Sequence, residues 1–218
     1  MGATAVGTGL NAAPGYDKAC TELLAEITGF AFREADNLVE ATSNTGSFVA
    51  YSSAMKQLAV KLSKICNDLR LLASGPRCGL HEINLPPRQA GSSIMPGKVN
   101  PVIAEVTNQT CFRVIGNDLA VALAGEAGQL QLNVMEPVMN YSLLESATLL
   151  TNAMTTLRVN CIEGITANEE HCKELVVGSV GIVTALNPHI GYNNSTALAQ
   201  EALAAGKSIY DLVLEKNI

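Results

Sequence analysis

The chain has 218 residues, 48% of them hydrophobic and 16% charged, and a formal net charge of −6. That is enough apolar matter for a sizeable core, and without a lysine or arginine run it excludes a surface built for nucleic acid or for an anionic membrane. No uninterrupted apolar stretch is long enough to span a bilayer and no signal peptide is visible.

Residues 15–28 read as a short helix opening at Tyr16-Asp17. A long helix follows, from near Thr42 or Ser47 to about Ser74. Its signal is the i, i+3, i+4, i+7 spacing of Met55, Leu58, Ala59, Leu62, Ile65, Cys66, Leu69, Leu72 and Ala73. Gly75-Pro76 ends it, since glycine suits a C-terminal cap and proline cannot continue a helix. Residues 75–101 hold Pro76, Pro86, Pro87, Pro96 and Pro101 together with four glycines and read as one loop, of a length usually kept for function. A second long helix starts near Asn100, as N-cap, and Pro101, as first helical residue. Its apolar positions include Val102, Val106, Phe112, Ile115, Leu119 and Leu123, and it fades at Gly125 to Gly128. A third runs from Glu136-Pro137 through Leu143, Leu144, Ala147, Leu150, Met154 and Leu157 to about Ile162. After Gly164, Thr166 and Glu169 have capping-box spacing for a helix at 167–177. Two more short helices, 194–205 and 208–216, complete the series.

No period-2 alternation of any length occurs, so the expected fold is all-α: a long-helix bundle over 1–163 that carries the 75–101 loop, then a small helical domain at 164–218. Tryptophan is absent and aromatics are 4%, so the helices must pack through small and aliphatic side chains. Each long helix is apolar over more than half its circumference. Three helices cannot cover that much, and association into an oligomer is expected.

Cys20, Cys66, Cys78, Cys111, Cys161 and Cys172 form no CxxC pair and no disulfide framework, and read as reduced core residues of a cytoplasmic protein. A zinc site from Cys161, His171 and Cys172 lacks a well-spaced fourth ligand, so no metal or other cofactor is expected. His81, His171 and His189 read as structural or loop residues.

The chemistry concentrates in Gly91-Ser-Ser-Ile-Met-Pro-Gly-Lys-Val-Asn-Pro101. Two adjacent hydroxyls offer a base, Ser92 or Ser93. Lys98 offers a cation for a carboxylate, and Asn100 offers amide donors beside a helix start. From spacing alone, an ordinary surface loop would carry the same residue types.

This segment resembles the GSSxMPxKxNP signature of the fumarase/aspartase superfamily at every fixed position. The resemblance extends to Gly2-Ala-Thr-Ala-Val-Gly-Thr-Gly-Leu-Asn11, which is similar to a segment ending in GTGxN. It continues through 67–76 and 126–137 and ends with 182–191. Glu82-Ile-Asn-Leu-Pro86, Gln89-Ala-Gly91, Asn108-Gln109 and Glu126-Ala-Gly-Gln129 look like the aspartate ammonia-lyase branch, with fumarate hydratase as the alternative. The resemblance implies deamination of aspartate to fumarate and ammonia, with Ser92 as general base. Lys98, Asn100, Ser93 and the Val99 backbone would bind the dicarboxylate. It implies that Glu105 pairs with a histidine of another subunit, although a first-turn helix acid favoured by the macrodipole reads the same way. It also implies a homotetramer with shared active sites.

Complete members of the superfamily are roughly twice as long, so the resemblance further leads one to expect a truncated chain, inactive alone or reduced to a helical association module.

Overall fold

The computed structural model describes residues 3–218, and the elements follow from local sequence. Helix α1 (Tyr16–Thr28) lies between two glycines in the left-handed region, Gly15 (φ 77°) and Gly29 (φ 73°), and the Gly29 N–H donates to the Ala25 carbonyl. This is the C-terminal geometry that glycine adopts without steric cost. Helix α2 (Leu38–Ser43), which the sequence reading did not include, is started by Asn37, whose side-chain oxygen accepts from the amides of Val39 and Glu40.

The long helices are α3 (Gly46–Leu72), α4 (Val102–Glu126) and α5 (Glu136–Asn160). Their bounds agree with the apolar periodicity to within a turn. The C-terminal stretch contains α6 (Glu169–Gly178), a 3-10 segment (Val180–Leu186), α7 (Asn187–Ile190), α8 (Tyr192–Ala205) and α9 (Ile209–Lys216). Ser208 caps α9 by accepting from the Asp211 amide at 3.0 Å.

Two local expectations are corrected. The chain contains a small antiparallel ladder, β1 (Ile83–Asn84) with β2 (Thr166–Ala167), in which Ile83 faces Ala167 and Asn84 faces Thr166. Two residues per strand are too few to produce a periodic signal. Thr166 therefore lies in a strand and does not cap α6. Asn168 precedes α6 without capping it through its side chain, because its Oδ1, the atom that would cap, accepts instead from the Asn84 amide at 2.8 Å.

Contacts group the chain into two compact units, Met1–Asn67 with Val102–Val159, and Asp68–Pro101 with Asn160–Ile218. The sequence reading had drawn its line at 163 and kept the 75–101 loop with the bundle.

In the first unit, Met55, Ala59, Leu62 and Cys66 of α3 are buried as the periodicity required, while Leu58 and Ile65 of the same stripe stay exposed. The α4 reading is reversed. Its buried face is Ala104, Thr107, Asn108, Cys111, Val114, Asn117, Asp118, Val121 and Ala124, and Val106, Phe112, Leu119 and Leu123 are exposed. Small and polar residues can occupy the inner face because its asparagines and aspartate find partners on neighbouring helices, while the Thr107 hydroxyl donates to the Ile103 carbonyl of α4 itself at 2.8 Å. The Asn108 amide donates to the Ser63 carbonyl and hydroxyl at 3.0 and 2.9 Å. Asp118 accepts from the Ser52 hydroxyl at 2.9 Å and from the Lys56 ammonium at 2.5 Å. The Asn117 amide donates to Glu145 and Ser146 of α5 at 2.7 and 3.0 Å. Paired in this way, polar groups can be buried without the penalty of an orphaned donor.

The second unit has its own apolar cluster, Leu198, Ala202, Ile209 and Leu212, with Val180, Ile182, Leu186 and Ile190 packed against it. All six cysteines are free thiols, and Cys66, Cys111 and Cys161 are buried. Burial pushes the Cys111 and Cys161 thiols up, so both are held neutral. Among the described residues, no helix is long and apolar enough to cross a membrane.

Candidate active site

The 75–101 segment is fastened to the end of α3 by backbone and side-chain hydrogen bonds. The His81 amide donates to the Ser74 carbonyl and the Glu82 amide to the Leu72 carbonyl, each at 2.9 Å, and the Leu80 amide donates to the Ser74 hydroxyl at 3.1 Å. Further along, Arg88 Nε donates to the Asn160 carbonyl at 2.9 Å, and a Cβ on Gly164 would meet Pro86 at 2.5 Å. Only a glycine fits that approach.

The signature residues then form a closed turn. The Ser92 amide donates to the Lys98 carbonyl and the Lys98 amide to the Met95 carbonyl, both at 3.1 Å. Gly91 (φ 100°) and Gly97 (φ 81°) supply the left-handed backbone at its two ends. Inside the turn, Ser92 Oγ accepts from the amides of Ile94 and Met95, both at 3.3 Å. Two amide dipoles aimed at one hydroxyl oxygen favour negative charge on it. Ser93 is exposed and makes no such contact among the described residues.

Lys98, Val99 and Asn100 share one pocket of about 590 Å³ with His81, Asn84 and Pro86 among its other walls. No aspartate or glutamate lines it, and Lys98 has no ion-pair partner among the described residues. The pocket thus offers an uncompensated ammonium and an amide, with His81 and Asn84 as its other polar side chains, which suits a small anion. Glu105 lies in the first turn of α4, within the other unit, and is half-buried.

The sequence reading identified Lys98, Val99 and Asn100 but missed the wall formed by His81, Asn84 and Pro86. The one signal for it was the proline spacing, which marked the stretch as ordered loop without saying what the loop encloses. The thiols and imidazole once considered as a zinc site are engaged otherwise. Cys172 Sγ donates to the Glu82 carbonyl at 3.4 Å, and His171 Nε2 lies 2.9 Å from the Leu80 carbonyl. Cys161 is buried, with Arg88 near enough to lower its pKa against the effect of burial. Among the described residues, no cluster of three or more histidine, cysteine, aspartate or glutamate side chains is arranged to hold a metal.

Residues 1–116 match the family described as Lyase, and residues 182–218 match the Fumarase C C-terminus. The chain is 61% identical over all 218 residues to the aspartate ammonia-lyase of Helicobacter pylori, of which it covers 47%. It is also 61% identical to that of Pseudomonas aeruginosa, of which it covers 46%. Among solved structures, the fumarate lyase:delta crystallin from Brucella melitensis bound to cobalt is similar with a TM-score of 0.94 at 50% identity, over 100% of this chain and 47% of that one. The class II fumarase from Schistosoma mansoni follows with a TM-score of 0.89 at 36% identity, over 99% and 48%. The chain belongs to this lyase family, the fumarase/aspartase superfamily. It spans about half the length of the curated relatives it matches.

Proposed function

We propose that this chain carries the signature loop of an aspartate ammonia-lyase, which converts L-aspartate reversibly to fumarate and ammonia. The observation that carries the reading is 61% identity along the whole chain to aspartate ammonia-lyases, with the serine turn and the carboxylate-free pocket intact.

Ser92 acts as general base. A serine hydroxyl is far from ionised at neutral pH, so its alkoxide needs stabilisation, and the Ile94 and Met95 amides supply part of it. The alkoxide takes a proton from the substrate carbon next to one carboxylate. The electron pair left behind moves into that carboxylate as an aci-carboxylate dianion. Lys98, Asn100, Ser93 and the Val99 backbone bind the dicarboxylate and stabilise this charge. The pair then returns to form the carbon-carbon double bond, and the amino group departs as ammonia. Glu105 serves proton relay through a histidine of another subunit. The reaction needs no cofactor.

The active form is a cytoplasmic homotetramer. Exposed Phe112, Leu119, Leu123 and Leu144 on α4 and α5 support that association, since apolar surface of this kind gains by being covered.

The test is fumarate release from aspartate, followed by ultraviolet absorbance, by the chain supplied with the part of the Helicobacter pylori relative that it does not match. Turnover on aspartate that vanishes in Ser92→Ala is the expected result. The Fumarase C C-terminus match and the likeness to the Schistosoma fumarase favour hydration of fumarate as the second reading. Turnover on malate with none on aspartate would establish that one instead.

A further inference from the structure

Asn168 directs nearly all of its hydrogen-bonding groups at one segment, 81–84. Its main-chain amide donates to the Glu82 carbonyl at 2.9 Å and its side-chain amide to the His81 carbonyl at 2.8 Å. Its Oδ1 accepts from the Asn84 amide at 2.8 Å, and Asn84 Oδ1 accepts in return at 3.3 Å. One turn on, in α6, His171 and Cys172 bind the Leu80 and Glu82 carbonyls at 2.9 and 3.4 Å. Successive carbonyls of an extended strand point to opposite edges, so three in a row can reach one partner element only where the chain leaves that geometry. It does so at His81, whose φ is 48°.

The β1–β2 ladder, with two residues to a strand, is too short to hold such a segment unaided. What is held is a wall of the candidate site: His81, Ile83, Asn84, Leu85, Pro86 and Pro87 line the pocket that Lys98 and Asn100 also line. The signature turn at 91–98 makes no hydrogen bond outside itself among the described residues. It therefore takes its place from the chain leading into it. The last fixed stretch of that chain is 80–88, fastened by Asn168 and its neighbours at one end and by the Arg88 bond to the Asn160 carbonyl at the other.

We propose that Asn168 is a positioning residue of the ammonia-lyase site: with His171 and Cys172 behind it, it holds the 80–84 segment, and through that segment the pocket wall and the root of the signature turn. It touches no substrate itself. It fixes the share of the site that this chain contributes, so that Ser92 and Lys98 are presented in a constant geometry. The assignment rests on the proposed function above, and Asn168 lies outside the signature.

The test is steady-state kinetics on aspartate with the chain supplemented as above, at a temperature where circular dichroism shows every variant folded. Asn168→Ala should lower kcat about 10–100-fold, the usual scale for a catalytic group moved out of line. KM should change less than about threefold, since Lys98 and Asn100 remain to bind the carboxylate. Asn84→Ala removes the amide pair from its other side, so the double variant should lose about as much as the worse single one. Ser208→Ala, which uncaps α9, is the control for lost stability alone and should keep the parent kcat. Unchanged kcat in Asn168→Ala, a like fall in Ser208→Ala, or losses that multiply in the double variant would each overturn the proposal. If Asn168→Ala does not fold, His171→Ala cuts the bond to the Leu80 carbonyl and decides: kcat should fall about threefold, and an unchanged kcat overturns the proposal. Ser92-dependent turnover with a silent Asn168 removes this inference and leaves the ammonia-lyase reading standing, whereas no turnover on aspartate by the parent chain removes both.

Discussion

At the residue scale, the two serines of the signature are separated by their surroundings. Ser92 Oγ faces two backbone amides, whereas Ser93 is exposed and makes no side-chain hydrogen bond among the described residues. Ser92→Ala should lower turnover by several orders of magnitude with aspartate still bound, and Ser93→Ala should act mainly on KM. Lys98→Met should cost on the order of 10²–10³-fold in kcat, the usual effect of losing one preorganised charge-stabilising donor. Steady-state kinetics on the supplemented chain reads all three, and a mild Ser92→Ala beside a crippling Ser93→Ala would reverse the assignment. A stability prediction belongs here as well. Asn133 is 1% exposed, donates to the Ala124 carbonyl and accepts from the Met135 amide, both at 2.9 Å. Asn133→Ala leaves both groups without a partner and should cost about 1–3 kcal/mol, visible as a lower urea midpoint.

Also at this scale, Glu145 carries a pH dependence. The Asn117 amide is the largest cause holding its carboxyl below the ordinary 4.5. Burial opposes that, and Arg113 and Tyr141 reinforce it. A carboxyl lowered on folding contributes stability that is fully present above its unfolded value and is lost as pH falls through the folded one. Glu145→Gln should therefore be less stable than the parent chain at neutral pH and converge with it in acid, as urea midpoints across that range would show. A constant difference at every pH would mean that the charge contributes nothing.

At the element scale, helix existence was legible and helix orientation was not. The long helices were announced by sustained apolar spacing and stop signals such as Gly75-Pro76. The inner face of α4 was misread because hydrophobicity was taken as the mark of burial, and in this helix it marks the outside. Asn108, Asn117 and Asp118 can be buried only because Ser63, Ser146, Ser52 and Lys56 meet them, and those pairings, separated by up to 66 residues in the chain, leave no local signal. The β1–β2 ladder was hidden for the same reason. In the candidate site, Lys98, Val99 and Asn100 were legible through the motif, while His81 was not, since nothing in its local sequence discloses the positive φ. The exposed face yields a prediction. Leu119→Ser with Leu123→Ser should leave the unfolding midpoint of the isolated subunit nearly unchanged and shift sedimentation toward smaller species. Val121→Ser, on the buried face, should instead cost about 1–3 kcal/mol of stability, read as a lower midpoint, combining a cavity with a buried hydroxyl.

For the whole molecule, the polar contacts inside the first unit do more than satisfy buried atoms. Ser63 meets Asn108 and Ser52 meets Asp118, so position rises along α4 as it falls along α3, and two widely spaced points fix both the direction and the register of the pair. A slip by one turn, about 5.4 Å, would break both at once and strand a buried amide and a buried carboxylate. Uniformly apolar faces would tolerate that slip with little loss, as greasy surfaces of similar shape slide past one another. In the homotetramer proposed above, every helix would meet several copies of the same candidate neighbours, and the competing states would be mispaired ones. The buried asparagines and aspartate act as a proofreading code: they add little to the depth of the correct state and raise the energy of the wrong ones.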